Sequence, residues 1–122
     1  MMIGVVNDFL EATLALQIQG PDSLSTNRAV IDTGYNGALT LPLSVIMALE
    51  LNPLAARLVT LGDASQRVLD FYEAEVVWDD KRQTIQVLCV EGEPLIGTSL
   101  LKGYKLEIDF VVSRQVVVLT AA

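Results

Sequence analysis

Asp32-Thr33-Gly34 is the stretch of this chain best suited to chemistry. It follows the apolar run Ala29-Val30-Ile31, so a carboxylate stands at the end of what reads as a buried strand. A buried charge costs free energy unless a partner offsets it or a reaction uses it. Asp32 is therefore either a turn residue leaning into solvent, in a plain Asx turn, or a working acid. Other chemistries are largely closed. The chain has no His, which removes Ser-His-Asp and Cys-His catalysis as well as His-ligated metal sites. Cys89 is the only cysteine and lies in the apolar run "IQVLCV". It reads as a small core residue rather than a nucleophile, and no internal disulfide can form. Asp79-Asp80 beside Lys81-Arg82 reads as a solvated turn rather than a metal site.

The charge balance narrows the partners. Eight basic and 15 acidic side chains leave a net charge of −7, and the basic residues are scattered singly or in pairs. This argues against nucleic acid, and no Gly-rich phosphate loop is present. At 122 residues the chain is expected to be one domain, 1–122, with a real core. Its hydrophobic content of 52 % is rich for its size. Either the core is unusually complete or apolar surface is buried against another copy. No apolar run reaches the length of a membrane span, so no membrane partner is expected. Residues 1–11 show no basic flank or long apolar stretch, so no secretion signal is expected. With a single cysteine, a cytoplasmic location is the expectation.

The elements that must position Asp32 read as many short strands separated by turns. Residues 11–19 alternate, with Ala12, Leu14, Leu16 and Ile18 on one face. "GPDS" turns the chain, and 28–31 form the strand that delivers Asp32. Residues 41–52 make one short helix with Val45, Ile46 and Leu49 on one face, stopped by Asn52-Pro53. Residues 56–78 make two strands around a tip at Gly62-Asp63-Ala64-Ser65. "DDKR" at 79–82 turns into a strand over 84–90. Thr98 or Ser99 caps a second helical turn that Gly103 ends. Leu106, Ile108 and Phe110 alternate as a strand, and Ser113-Arg114 turns into a last strand over 116–119. Trp78, Phe71 and Tyr72 read as packing residues. "AVIDTGYNGALTLP" and "EPLIGTSLLKG" echo each other: an apolar pair, then a Gly, then a short helical stretch. In a doubled fold these would be equivalent corners.

In this order the elements resemble the retropepsin-like aspartic proteases, the single-domain relatives of the retroviral enzymes. "VIDTG" and "PLIGTSLL" carry the resemblance, which covers about residues 10–119, and "IDTGYNGALTLP" looks like the family's bacterial branch. The resemblance implies a mostly β, closed barrel or sandwich with a flap hairpin and one or two short helices, acting as an obligate homodimer. It implies an aspartic endopeptidase on extended, largely hydrophobic peptide segments, without metal or cofactor. Amide hydrolysis by carboxylates needs two of them, one ionised and one protonated. This chain has one Asp-Thr-Gly, so Asp32 must meet its counterpart in a second chain across a two-fold axis.

By the same resemblance, Asp32 is catalytic, and Thr33 bonds across the two-fold to hold the carboxylates coplanar. Gly34 lets substrate backbone approach. Gly62, Asp63 and Ala64 form the flap tip. Leu95 and Ile96, with Gly97, brace the catalytic loop and line pockets. The chain ends, 2–6 and 116–119, pair with the partner's ends. Three positions depart from the retroviral pattern. Tyr35 stands where those enzymes have Ala, and would either narrow a subsite or pack under the loop. Asn36 replaces an Asp and Thr98 an Arg, so the ion pair tying loop to helix is missing, and a neutral Asn36–Thr98 bond is one replacement. Tyr35 and Asn36 count among the expected substrate-binding positions. A competing reading keeps the fold and dimer but not efficient hydrolysis: a peptide-binding or scaffolding module. A third is an unrelated β domain with Asp32 exposed at a turn.

Overall fold

The alternation over residues 12–18 is realised as a half-buried strand: Ala12, Leu14, Leu16 and Ile18 are buried, while Ala15 and Gln17 face solvent. The computed structural model describes residues 1–115 and 117–122. Along the chain run β1 (Met2–Val6), β2 (Ala12–Gln19), β3 (Leu24–Ile31), β4 (Leu39–Leu41), α1 (Leu43–Leu49), β5 (Asn52–Thr60) and β6 (Gln66–Trp78). These are followed by β7 (Lys81–Cys89), β8 (Leu95–Ile96), α2 (Thr98–Leu101), β9 (Tyr104–Ile108) and β10 (Val117–Ala121). The protein is mostly β, as expected. Among the described residues, the ten strands share one sheet in the order β5-β6-β7-β4-β8-β3-β2-β1-β10-β9, and β2 also pairs with β6. That extra pairing closes a ring of six strands, β2-β6-β7-β4-β8-β3, around side chains such as Leu16, Ile18, Leu39, Val76, Val87 and Ile96. Closure removes sheet edges within the ring.

The echo between the two motifs is built into the topology. β3 runs parallel to β8, and β4 runs parallel to β7. β4 meets β8, and β2 meets β6, in antiparallel pairs. Exchanging β2-β3-β4-α1 for β6-β7-β8-α2 maps this pairing onto itself. The fold is therefore doubled, with Asp32 at one corner and Gly97 at the other.

Several boundaries differ from the sequence reading. α1 ends at Glu50, whose left-handed backbone (φ 52°) returns its N–H to Ile46 and Met47, so Asn52-Pro53 does not stop the helix. Those two residues open β5 instead, where an outer strand of the sheet tolerates a proline. Lys81 and Arg82 belong to β7, and the turn is Asp79-Asp80 alone, both at positive φ. Neither Thr98 nor Ser99 caps α2 through its side chain, and the N-cap is Gly97. Phe110 lies beyond β9 and is exposed, so the alternation of Leu106 and Ile108 stops short of it. Val116, expected to open the last strand, lies outside the described residues.

The chain ends also depart from expectation. Met2, Ile3 and Gly4 pair with Leu119, Val118 and Val117 of the same chain, and β10 pairs on its other side with β9. Both sides of β10 are thus occupied within one copy, which leaves it no hydrogen-bonding side for a partner's terminal strand.

Candidate functional site

β3 carries Asp32 to the end of the ring. Val30 and Ile31 lie in parallel register with Leu95 and Ile96, and the Asp32 N–H donates to the Ile96 carbonyl at 2.9 Å. The second motif thus continues the strand by one bond and fixes where the chain turns. The turn is an Asx turn: the Gly34 N–H donates to Oδ1 of Asp32 at 2.9 Å, and the Tyr35 N–H donates to the Asp32 carbonyl at 3.2 Å. The local geometry of the plain-turn reading is therefore present. It uses only one carboxylate oxygen, and Oδ2 has no partner among the described residues. Asp32 is half-buried rather than fully exposed.

The surroundings of Asp32 form a cleft of about 380 Å³, walled by Leu10, Glu11, Thr33, Leu95, Ile108 and Phe110, among others. Thr33 and Gly34 are exposed, and Thr33 but not Gly34 lines the cleft. Leu95 is half-buried, and its N–H donates to the buried Thr40 hydroxyl at 3.0 Å, so β4 holds β8 in place under the cleft. Ile96 is fully buried and braces the loop without facing the cleft, which corrects its expected place among substrate-binding residues. Leu10, Glu11 and Phe110 are wall residues that the sequence reading passed over. The turn former Asn7, four residues before Glu11, was the available signal. Its Oδ1 accepts from the N–H groups of Phe9 (3.0 Å) and Glu11 (2.9 Å), and its Nδ2 donates to Glu11 Oε1 (3.0 Å).

Tyr35 packs under the loop. A Cβ added at Gly37 would strike the Tyr35 ring, and one at Gly97 would strike both that ring and the Gly37 carbonyl. Burial pushes the Tyr35 phenol above its ordinary pKa. The ring also borders a second cleft, of about 360 Å³, with Phe71, Ile85 and Ser99. Asn36 is exposed, and it is the Tyr35 carbonyl that ties the loop to α2. That carbonyl accepts from the Thr98 N–H at 2.8 Å and from its hydroxyl at 3.3 Å. Among the described residues, Thr98 is tied to the Tyr35 backbone and not to Asn36.

The hairpin tip forms where expected and stands apart from the Asp32 cleft. Asp63 Oδ1 accepts from the Ser65 hydroxyl (2.6 Å) and N–H (3.0 Å), and Ala64 sits at φ 67°. Those two bonds, the hydroxyl's first, hold the Asp63 carboxyl below its usual pKa. In β6, Ala74, Val76 and Trp78 face the core; on the same face toward the tip, Val68 and its cross-strand partner Leu58 are exposed. On the opposite face Arg57 lies 4.8 Å over the Phe71 ring.

Cys89 is partly buried, and burial pushes its thiol up, as suits packing rather than attack. No group of three or more Cys, Asp or Glu is placed to hold a metal among the described residues, and no described helix is long and apolar enough to cross a membrane. No family model and no curated protein matches the chain.

Proposed function

We propose that the chain is an aspartic endopeptidase that works as a homodimer, with one Asp32 from each copy forming the catalytic pair. One observation carries this reading. Asp32 stands at a corner of a doubled barrel, half-buried in a cleft, with Oδ1 held by Gly34 and Oδ2 left for chemistry. Two such carboxyls about 3 Å apart share one proton, because both cannot ionise together. The ionised one takes a proton from a water, whose oxygen attacks the peptide carbonyl carbon. The protonated one gives its proton to the carbonyl oxygen, and the proton taken from water then passes to the amide nitrogen as the C–N bond breaks and the amine leaves. No metal or cofactor enters this scheme. Leu95 supplies an apolar wall for an extended peptide, and the Gly62-Asp63-Ala64 hairpin closes over it as a flap.

A second reading, a dimeric peptide-binding module without efficient hydrolysis, draws on the same loop. Its tie to α2 is the neutral Thr98–Tyr35 bond, and Tyr35 fills space beneath it. Incubation with a diverse peptide pool at several pH values separates the two. The protease reading expects new peptide termini with the wild type and none with Asp32→Asn. Binding of pool peptides with no new termini at any pH favours the module.

A further inference from the structure

Three of the chain's eight basic side chains, Lys81, Arg82 and Lys102, line a single cleft of about 370 Å³, and no acidic side chain lines it. In a chain of net charge −7 this is a local reversal of sign. The cleft shares no wall residue with the one at Asp32. Two turns build it. β6 and β7 reverse at Asp79-Asp80, which sets Trp78 directly across from Lys81. On the other side α2 ends with Lys102 as its C-cap, and Gly103, at φ 86°, turns the chain into β9, which opens on Tyr104. The Trp78 and Tyr104 rings stand edge to face at 5.9 Å and, with Leu100, give the cleft its apolar wall.

That wall holds an unmet donor. Trp78 is 4 % exposed, and its indole Nε1 is buried with no hydrogen-bond partner among the described residues. A buried indole N–H normally finds an acceptor, and an aromatic face is only a second-order one. The cations beside it are also unmet. Lys81 and Lys102 form no ion pair among the described residues, whereas Arg82 is held by Glu75 at 2.9 Å. Asp79, the acid next to Trp78 in the chain, does not line the cleft, and its Oδ2 accepts from the Tyr104 hydroxyl at 2.9 Å. We propose that this cleft binds a small organic carboxylate with a flat, apolar body. Its oxygens accept from the Lys81 and Lys102 ammonium groups and give the Trp78 N–H the acceptor it lacks, while its body lies against Trp78, Tyr104 and Leu100. Bonds of this charge-assisted kind are the strong ones, and the volume falls in the range of small-ligand sites. The inference does not rest on the two-chain reading of Asp32.

Trp78 is the chain's only tryptophan, so the protein has a single indole N–H resonance and it belongs to this wall. Isotope-labelled protein is titrated by NMR with benzoate, benzamide and inorganic phosphate at constant ionic strength. Benzoate is expected to move the indole resonance downfield and saturably. Benzamide keeps the ring without the charge, and phosphate keeps the charge without the ring. Each is expected to bind at least about tenfold more weakly. The double variant Lys81→Met/Lys102→Met, at two exposed positions, is expected to weaken benzoate by at least about tenfold as well. Lys105→Met, on β9 and outside the cleft, is expected to leave it unchanged. Backbone amide spectra check that each variant is folded, and the comparison of the three probes needs no variant. An indole resonance that no probe moves, a shift that never saturates, or benzoate binding indifferent to the loss of both lysines overturns the inference. Benzamide that matches benzoate overturns the recognition of charge, and phosphate that matches benzoate overturns the flat apolar body. None of these outcomes bears on cleavage at Asp32.

Discussion

At the scale of single residues, Asp32 organises the turn by accepting from Gly34 at Oδ1, and the proposed reaction would add a second job, ionisation. Asparagine keeps an oxygen for the first job and cannot do the second. Asp32→Asn should therefore melt within a few degrees of the wild type while its cleavage rate falls by about 10² to 10⁴ or more, the span that general acid–base catalysis supplies. Thermal melts and initial rates on one peptide check both halves. Tyr35 invites a sharper test. The atoms nearest a Cβ at Gly37 all belong to the Tyr35 side chain, whereas the nearest to a Cβ at Gly97 is the Gly37 backbone carbonyl. Each Gly→Ala change should destabilise by roughly 1–3 kcal/mol or more, as overpacking does. In a Tyr35→Ala background the cost at Gly37 should largely vanish and that at Gly97 should persist. Denaturant unfolding of the double-mutant cycles measures this coupling.

At the scale of elements, the hairpin tip depends on a charge. The Asp63 carboxyl is held below its ordinary pKa by the Ser65 hydroxyl and N–H. For a depressed carboxylate, the contribution to order is present above the unfolded-state value and is lost as pH falls through the folded-state value. The tip should thus stay ordered in mildly acidic buffer and loosen only below the ordinary Asp range. The Ser65 amide chemical shift, followed against pH by NMR, should titrate with a midpoint below that range. A midpoint at or above it would contradict the geometry. The elements also show which signals a sequence carries. β2 was legible because burial of one face enforces strict alternation, and the two corners were legible because "VIDTG" and "PLIGTSLL" each force a strand into a turn. The end of α1 was not, because a left-handed Glu50 leaves no compositional mark. Phe110 was misplaced because the alternation of Leu106 and Ile108 continues through it in the sequence but not in the backbone. Ile96 was expected to line a pocket by resemblance alone; in the two-residue strand β8 consecutive side chains take opposite sides, so Leu95 faces the cleft and Ile96 the core.

At the scale of the whole molecule, pairing between distant segments decides what the sequence could not. The terminal strands read as dimer elements by resemblance, and only their register with each other and with β9 shows that they pair within one chain. Charge acts at the same scale. Two chains of −7 bring together 2 × (−7) = −14, a field that opposes association. Lowering the pH toward the isoelectric point near 4.3 removes it, and salt screens it. Dimer fraction should rise as pH falls from 7, and added salt should raise it most near neutrality. Sedimentation at two salt concentrations across pH checks this, and a dimer fraction indifferent to both would contradict it. The central claim, one active site from two chains, has a more direct test. Asp32→Asn chains are added in increasing amounts to a fixed amount of wild type, and cleavage of one peptide is followed in mildly acidic buffer. If each site needs Asp32 from both copies, mixed dimers are dead, and activity must fall progressively as the variant is added. If activity stays constant however much Asp32→Asn protein is present, with mixed dimers confirmed to form, each chain works alone and the shared site is refuted.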